Sequence, residues 1–222
     1  MKYRVTIALF SVACQAVPSN AVAPSADGRM VSLPAADVAQ LTVRGRDGSL
    51  RVRPTSDPEV RVTVHLTDGC DTTHRLATRG RGALTVQVTP STHELCREQW
   101  TVWLPAGIAM VARLDDAEVD IADVRDAVTL SLGHGTARLT NLDGALSATV
   151  TTGDIHASGA AAWSHVRLAA QVGRVRLDVR GTNVPHARAP GSGDWIEIPG
   201  TGGRRIRLET TVGNVTLRLD DR

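Results

Sequence analysis

A large aliphatic residue, a glycine seven positions later, and an apolar pair two and four positions beyond that recur through the second half of this chain. The glycines are Gly135, Gly153, Gly173 and Gly213, spaced by 18, by 20 and by twice 20. The residues seven ahead are Val128, Leu146, Val166 and Ile206. The pairs that follow are Ala137 and Leu139, Ile155 and Ala157, Val175 and Leu177, and Val215 and Leu217. A fixed period of this length marks a stack of like units, each too small to bury its own apolar face. The expected fold class is therefore all-β, a solenoid-like stack of two-strand repeats of about 20 residues. Each glycine would stand at the corner between two strands, where φ > 0 or close backbone approach is needed. An antiparallel β-sandwich is the competing all-β arrangement.

The sequence ahead of the repeats also alternates. Gln40–Arg44 and Ser49–Arg53 flank Arg46-Asp47-Gly48, which reads as a hairpin. Glu59–Leu66 alternates over eight residues, and Ala83–Val88 and Trp100–Leu104 are further strands. Residues 67–81 read as a loop. From about Ile108 the repeat takes over, with Ala117–Ile121 as an early copy carrying alanine in place of glycine. Gly193–Ile198 falls on the 20-residue grid with its apolar residues out of phase, and 181–192 interrupts the stack. The organisation expected is a leader over 1–21, a flexible lead-in over 22–36, and one domain over 37–222. Residues 37–107 would hold the N-terminal strands and 108–222 the repeats.

The leader has a positive start in Lys2 and Arg4 and an apolar run from Val5 to Cys14, too short to span a bilayer. Cleavage is expected after Ala21, giving an exported protein, periplasmic or on the cell surface, with no transmembrane segment. Cys14 is a poor lipidation site because Ser11 stands where a leucine-like residue is wanted. Loss of Lys2 and Arg4 leaves 23 basic against 23 acidic side chains. That balance gives no support for nucleic-acid binding, which needs a basic surplus to neutralise phosphates. The aromatics beyond the leader are Trp100, Trp103, Trp163 and Trp195, so the core must be aliphatic.

Cys70 and Cys96 remain after cleavage. In an oxidising compartment the simplest expectation is a disulfide between them. The alternatives are two free thiols and a zinc site, since Cys70 with His74 and His93 with Cys96 make a Cys2His2 set of plausible spacing. Export favours the disulfide, because exposed thiolates oxidise before they meet zinc, and no metal or cofactor is expected.

Catalytic residues are not expected either. Asp120, Asp154, Asp178 and Asp194 are the carboxylates a β-stack hydrolase would use. Only Asp154 and Asp194 share a repeat position, and two rungs at ~4.8 Å would hold them about 10 Å apart, beyond the glycosidase spacings. His134, His156, His165 and His186 are scattered and build no triad. Outward rows of Asp120, Arg138, His156 and Arg176, and of Glu118, Thr136, Asp154 and Arg174, would pair weakly between rungs.

Trp103-Leu-Pro-Ala-Gly107 followed by Thr152-Gly-Asp-Ile155, Val172-Gly-Arg-Val175 and Val212-Gly-Asn-Val215 resembles the bacterial putative-adhesin family of exported β-strand-repeat proteins. The resemblance spans roughly residues 38–222. It implies a right-handed parallel β-helix or similar roll, and it brings no catalytic residues with it. The function expected is a non-catalytic envelope or surface module, its partner a glycan or another envelope component. A polysaccharide-active β-helix enzyme is the alternative.

Overall fold

The computed structural model describes residues 30–66, 74–80, 82–89, 97–160, 165–172, 175–180, 194–199 and 205–220. In chain order its strands begin with β1 (Met30–Pro34), β2 (Gln40–Thr55), β3 (Glu59–Leu66), β4 (His74–Gly80), β5 (Ala83–Thr89), β6 (Glu98–Pro105), β7 (Ala109–Ala122) and β8 (Val128–Leu142). They continue with β9 (Leu146–Thr152), β10 (Ile155–Ala160), β11 (His165–Val172), β12 (Val175–Arg180), β13 (Asp194–Pro199), β14 (Arg205–Val212) and β15 (Val215–Asp220). One turn of 3-10 helix, Ala35–Asp37, is the sole helical element among the described residues. The fold is all-β, a mixed sheet with long parallel ladders in its repeat part.

Parallel pairing explains why the glycine spacing is so regular. Val128 lies opposite Met110 on one side and Leu146 on the other. Ala117 lies opposite Gly135, so the expected alanine-for-glycine copy takes its place in the stack. Each rung is a pair of strands, or one long strand bent at its middle. Alternation turns one side of each strand inward. Leu130, Leu132, Leu139, Ala148, Val150, Ile155, Leu208, Val215 and Leu217 are all essentially inaccessible. Trp100 is the one buried tryptophan among the described residues, and the rest of that core is aliphatic. These parallel ladders are not an antiparallel sandwich.

The expected hairpin at 40–53 does not form. Its two halves belong to one strand, β2, and both run parallel to β7, with Leu41 opposite Met110 and Leu50 opposite Val119. Gly48 is the bend, at φ +142°. Leu41, Gly48, Leu50 and Val52 repeat the spacing seen from Val128 onward, so the stack begins at residue 40 and not near 108.

Three further expectations are corrected. Met30–Pro34, inside the supposed flexible lead-in, pairs antiparallel with β3. His74–Gly80, inside the supposed loop, pairs antiparallel with β5. Asp194–Pro199 is no rung at all: it pairs antiparallel with β11, Trp195 opposite Ala169 and Ile196 opposite Leu168. The register against β11, with Ile198 opposite Val166, replaces the grid placement on which the phase conflict rested.

The largest departure concerns rung order. Sequential stacking predicts Val128, Leu146 and Val166 as successive neighbours, with Val215 beyond Val175. Val128 and Leu146 are neighbours, but Ile206 comes next and Val166 follows it. In the second column Val215 lies between Ile155 and Val175. The last rung in sequence therefore sits between the two before it.

At the other end of the stack, Glu98 is buried beside the β2 bend. Its Oε2 accepts hydrogen bonds from Trp100 Nε1 at 2.8 Å and from the Arg46 amide at 3.3 Å, while Oε1 is buried with no hydrogen-bond partner. Burial pushes the carboxyl above its ordinary value of 4.5, the two hydrogen bonds pull it back, Asp47 adds to the rise and Arg46 opposes it. A folded-state value above the unfolded one means stability present at low pH and lost as pH rises through the folded value. Glu98→Gln should remove that loss. Chemical melts from pH 4 to 8 should show the variant gaining on the parent by about 1 kcal/mol as pH rises, the scale of one buried unsatisfied group. A pH-independent difference would contradict the assignment.

Candidate functional site

Two kinds of corner occur among the described residues, and they use different chemistry. At the first, Gly135, Gly153 and Gly213 have φ of +128°, +137° and +144°. The missing Cβ of Gly213 would point at the Gly153 carbonyl oxygen, that of Gly153 at Gly135, and that of Gly135 at Ala117, each within about 2 Å of the oxygen it would meet. The corner is a column of backbone packed on backbone. Gly173, expected in the same column, lies outside the described residues, as do Cys70, Cys96, His93 and Arg174. The His74 side chain is likewise undescribed. The disulfide and its zinc alternative both fall on those residues.

Asp154, next to Gly153, holds the neighbouring rung. Its Oδ1 accepts from the Asn214 amide at 2.7 Å and from Asn214 Nδ2 at 3.0 Å. Its own carbonyl accepts from the Ala137 amide at 2.9 Å. These bonds cross between adjacent rungs instead of closing a turn within one. The grid placement of Asp194 two rungs away is overturned, because Asp194 opens the antiparallel strand β13. The rung beside Asp154 carries Asn214 instead.

The outward row expected through Asp120, Arg138 and His156 is present, with Arg51 ahead of it, and in backbone register Thr216, not Arg176, follows His156. Asp120 pairs with Arg53 of the preceding rung, Nη2 to Oδ2 at 2.5 Å. His134 and His156 are exposed on separate strands. On the other outward face Glu209 bridges Arg207 at 2.8 Å and Arg167 at 3.0 Å. The hydrogen bond from Arg207 holds the Glu209 carboxyl below its usual range. Both are surface pairs, worth about 0–1 kcal/mol each.

The second corner is where the chain steps between rungs, and sequence reading missed it. Asp123 and Asn141, 18 residues apart, both take left-handed backbone, φ +59° and +55°. Asn141 Nδ2 donates to Asp123 Oδ1, and the Asp123 amide donates to the Thr140 carbonyl at 3.0 Å. Asp and Asn are the non-glycine residues that accept this conformation most readily. A search for the period in Asp and Asn, not only in glycine and aliphatics, would have found the pair.

Beside this corner lies a cleft of about 410 Å3. The ends of β2 and β6 form one wall with Pro54, Thr55, Ser56, Leu104, Pro105 and Ala106. The other wall is the stacked step, with Asp123, Val124, Arg125, Asp126, Asn141 and Asp143. Asp126 Oδ2 accepts from the Gly107 amide at 2.7 Å, which ties the walls together. Arg125 is exposed at the rim. Carboxylates, an amide and a guanidinium set against apolar proline and leucine suit a ligand with many hydroxyls and an apolar face. Among the described residues no group of three or more acidic, histidine or cysteine side chains is arranged to hold a metal ion.

No protein-family model matches the chain, and no curated protein is similar to it. Its fold is similar to that of a putative cell adhesion protein from Clostridium sporogenes. The two share 10% identity with a TM-score of 0.55, over 86% of this chain and 97% of that one. A putative adhesin from Bacteroides fragilis aligns at 13% identity and a TM-score of 0.34, over 85% of this chain and 95% of that one. No helix among the described residues is long and apolar enough to cross a membrane.

Proposed function

We propose that this chain is an exported, non-catalytic envelope or surface module that binds a glycan or another polyhydroxylated envelope component. Its rungs are read as turns of a right-handed parallel β-helix. The observation that carries the proposal is the cleft at the stepping corner, where Arg125, Asp143 and Asn141 meet Pro54 and Leu104 across a sugar-sized space. Fold similarity to a putative cell adhesion protein is consistent with it, though fold alone does not establish function. Two of the four carboxylates that a hydrolase would use are engaged in the scaffold: Asp154 bonds Asn214 and Asp120 pairs with Arg53.

Retention of the mature protein on a panel of polysaccharides, scored apart from bond cleavage, tests the reading. The double change Arg125→Ala with Asp143→Ala should lower retention by ~100-fold or more, the scale of two lost charged hydrogen bonds. Asp154→Asn should leave retention and fold unchanged within about 1 kcal/mol, since the amide oxygen still accepts from Asn214. Cleavage of any polysaccharide, lost in Asp154→Asn, would overturn the non-catalytic reading. Retention indifferent to the cleft changes would move the binding surface elsewhere.

Export carries a second expectation. Cys70 and Cys96 should be bonded in the mature protein, and its mass should rise by about two daltons on reduction. Unchanged mass with zinc retained would favour the Cys2His2 set instead.

A further inference from the structure

The rung formed by β14 and β15 lies between two rungs that both precede it in the chain. Those two, β9–β10 and β11–β12, follow one another in the chain, with only residues 161–164 between them. The inserted rung connects to its neighbours' chain only by way of β13 and residues 200–204. Everything else that holds it is non-covalent. On one side Gly153 and Ile155 amides donate to the Val212 and Asn214 carbonyls at 2.7 and 2.8 Å. On the other the Gly213 amide donates to Val172 at 2.7 Å. Ile206, Leu208, Val215, Leu217 and Leu219 fill the inward side.

We propose that this rung is exchangeable, and that the partner is a second copy of the chain, whose own residues 205–220 fill the same gap. The two flanking ladders recognise backbone spacing and inward aliphatics at matched positions. Those features are identical whether the segment arrives from the same chain or another. Because the flanking rungs are already linked before the segment is reached, the gap must receive it as a separate event. A segment that docks separately, with all its contacts non-covalent, is the element that copies swap at little cost. Reciprocal exchange buries the same surface as the closed monomer and pairs both strand edges that border the gap. The proposal does not depend on the glycan reading.

Ser147 and Arg207 face each other across β9 and β14. Parallel neighbours lie about 4.8 Å apart, within disulfide reach. Chains carrying only Ser147→Cys and chains carrying only Arg207→Cys, each with its own tag, are unfolded, mixed at high concentration, refolded together and oxidised. Exchange predicts a disulfide-linked species of doubled mass whose bond maps to positions 147 and 207 by peptide mass spectrometry. The double variant Ser147→Cys with Arg207→Cys, refolded dilute, should form the bond within one chain. If it does so while the mixed chains stay unlinked and monomeric, the rung is confined to its own chain and the proposal is wrong. If the double variant forms no such bond, the rung does not occupy this gap and the proposal fails with it.

Discussion

Gly153→Ala should destabilise the protein by about 4 kcal/mol or more, enough to unfold a domain of ordinary stability. Two costs add. At φ +137° an L-residue pays for a backbone region it rarely enters, about 1–3 kcal/mol. The new Cβ would also stand 1.8 Å from the Gly135 carbonyl oxygen and 2.8 Å from its carbon. Both atoms are backbone of a hydrogen-bonded rung, so neither can yield without opening the ladder. Gly107 separates the two costs. It has φ +88°, and nothing lies within 4 Å of its would-be Cβ. Gly107→Ala should therefore cost only about 1 kcal/mol. Urea melts of both variants check the pair. Equal losses would mean that conformation alone, and not rung-on-rung contact, demands glycine in the column.

Ile155→Asp should be comparably damaging, by about 4 kcal/mol, through a different route. Ile155 is fully buried and lies between Ala137 and Val215 on neighbouring rungs. Removing the side chain forfeits the burial of an isoleucine and leaves a gap in the aliphatic row. The carboxylate then enters that row with no cation opposite it and is driven toward its neutral form. Two consequences can be measured. The variant should lose its cooperative melt at neutral pH, and it should recover part of its stability as pH falls from the raised folded-state value toward the ordinary aspartate value of about 4. A mild, pH-independent loss would place residue 155 at the surface.

The apolar spacing carried the rungs because parallel in-register pairing repeats one environment at one interval. Alternation located the inward residues for the same reason, and Ala117 could be placed without a glycine. The first rung was hidden by Arg46-Asp47-Gly48, whose glycine bends a single strand but has the local composition of a hairpin turn. Only the partner strand, β7, tells the two apart. Rung order was illegible for a deeper reason. Ile155 meets Val175 or Val215 equally well on spacing and shape, so the pattern cannot say which is adjacent. Strand direction at 194–199 was lost in the same way, since alternation is the same read from either end. The cleft went unseen because it depends on strand ends and steps from four separate parts of the chain. Glu98 gave no signal beyond its distance of two residues from Trp100, and only packing shows it buried.

Rung order is the claim on which the architecture rests, and paired cysteines measure it directly. His156 lies opposite Thr216, and Thr216 lies opposite Arg176. Adjacent rungs stand about 4.8 Å apart and alternate ones about 10 Å, while a disulfide needs Cα atoms within about 7 Å. The account predicts that His156→Cys with Thr216→Cys oxidises readily and that His156→Cys with Arg176→Cys does not. A bond between positions 156 and 176, with none between 156 and 216, would show the rungs stacked in chain order and contradict it.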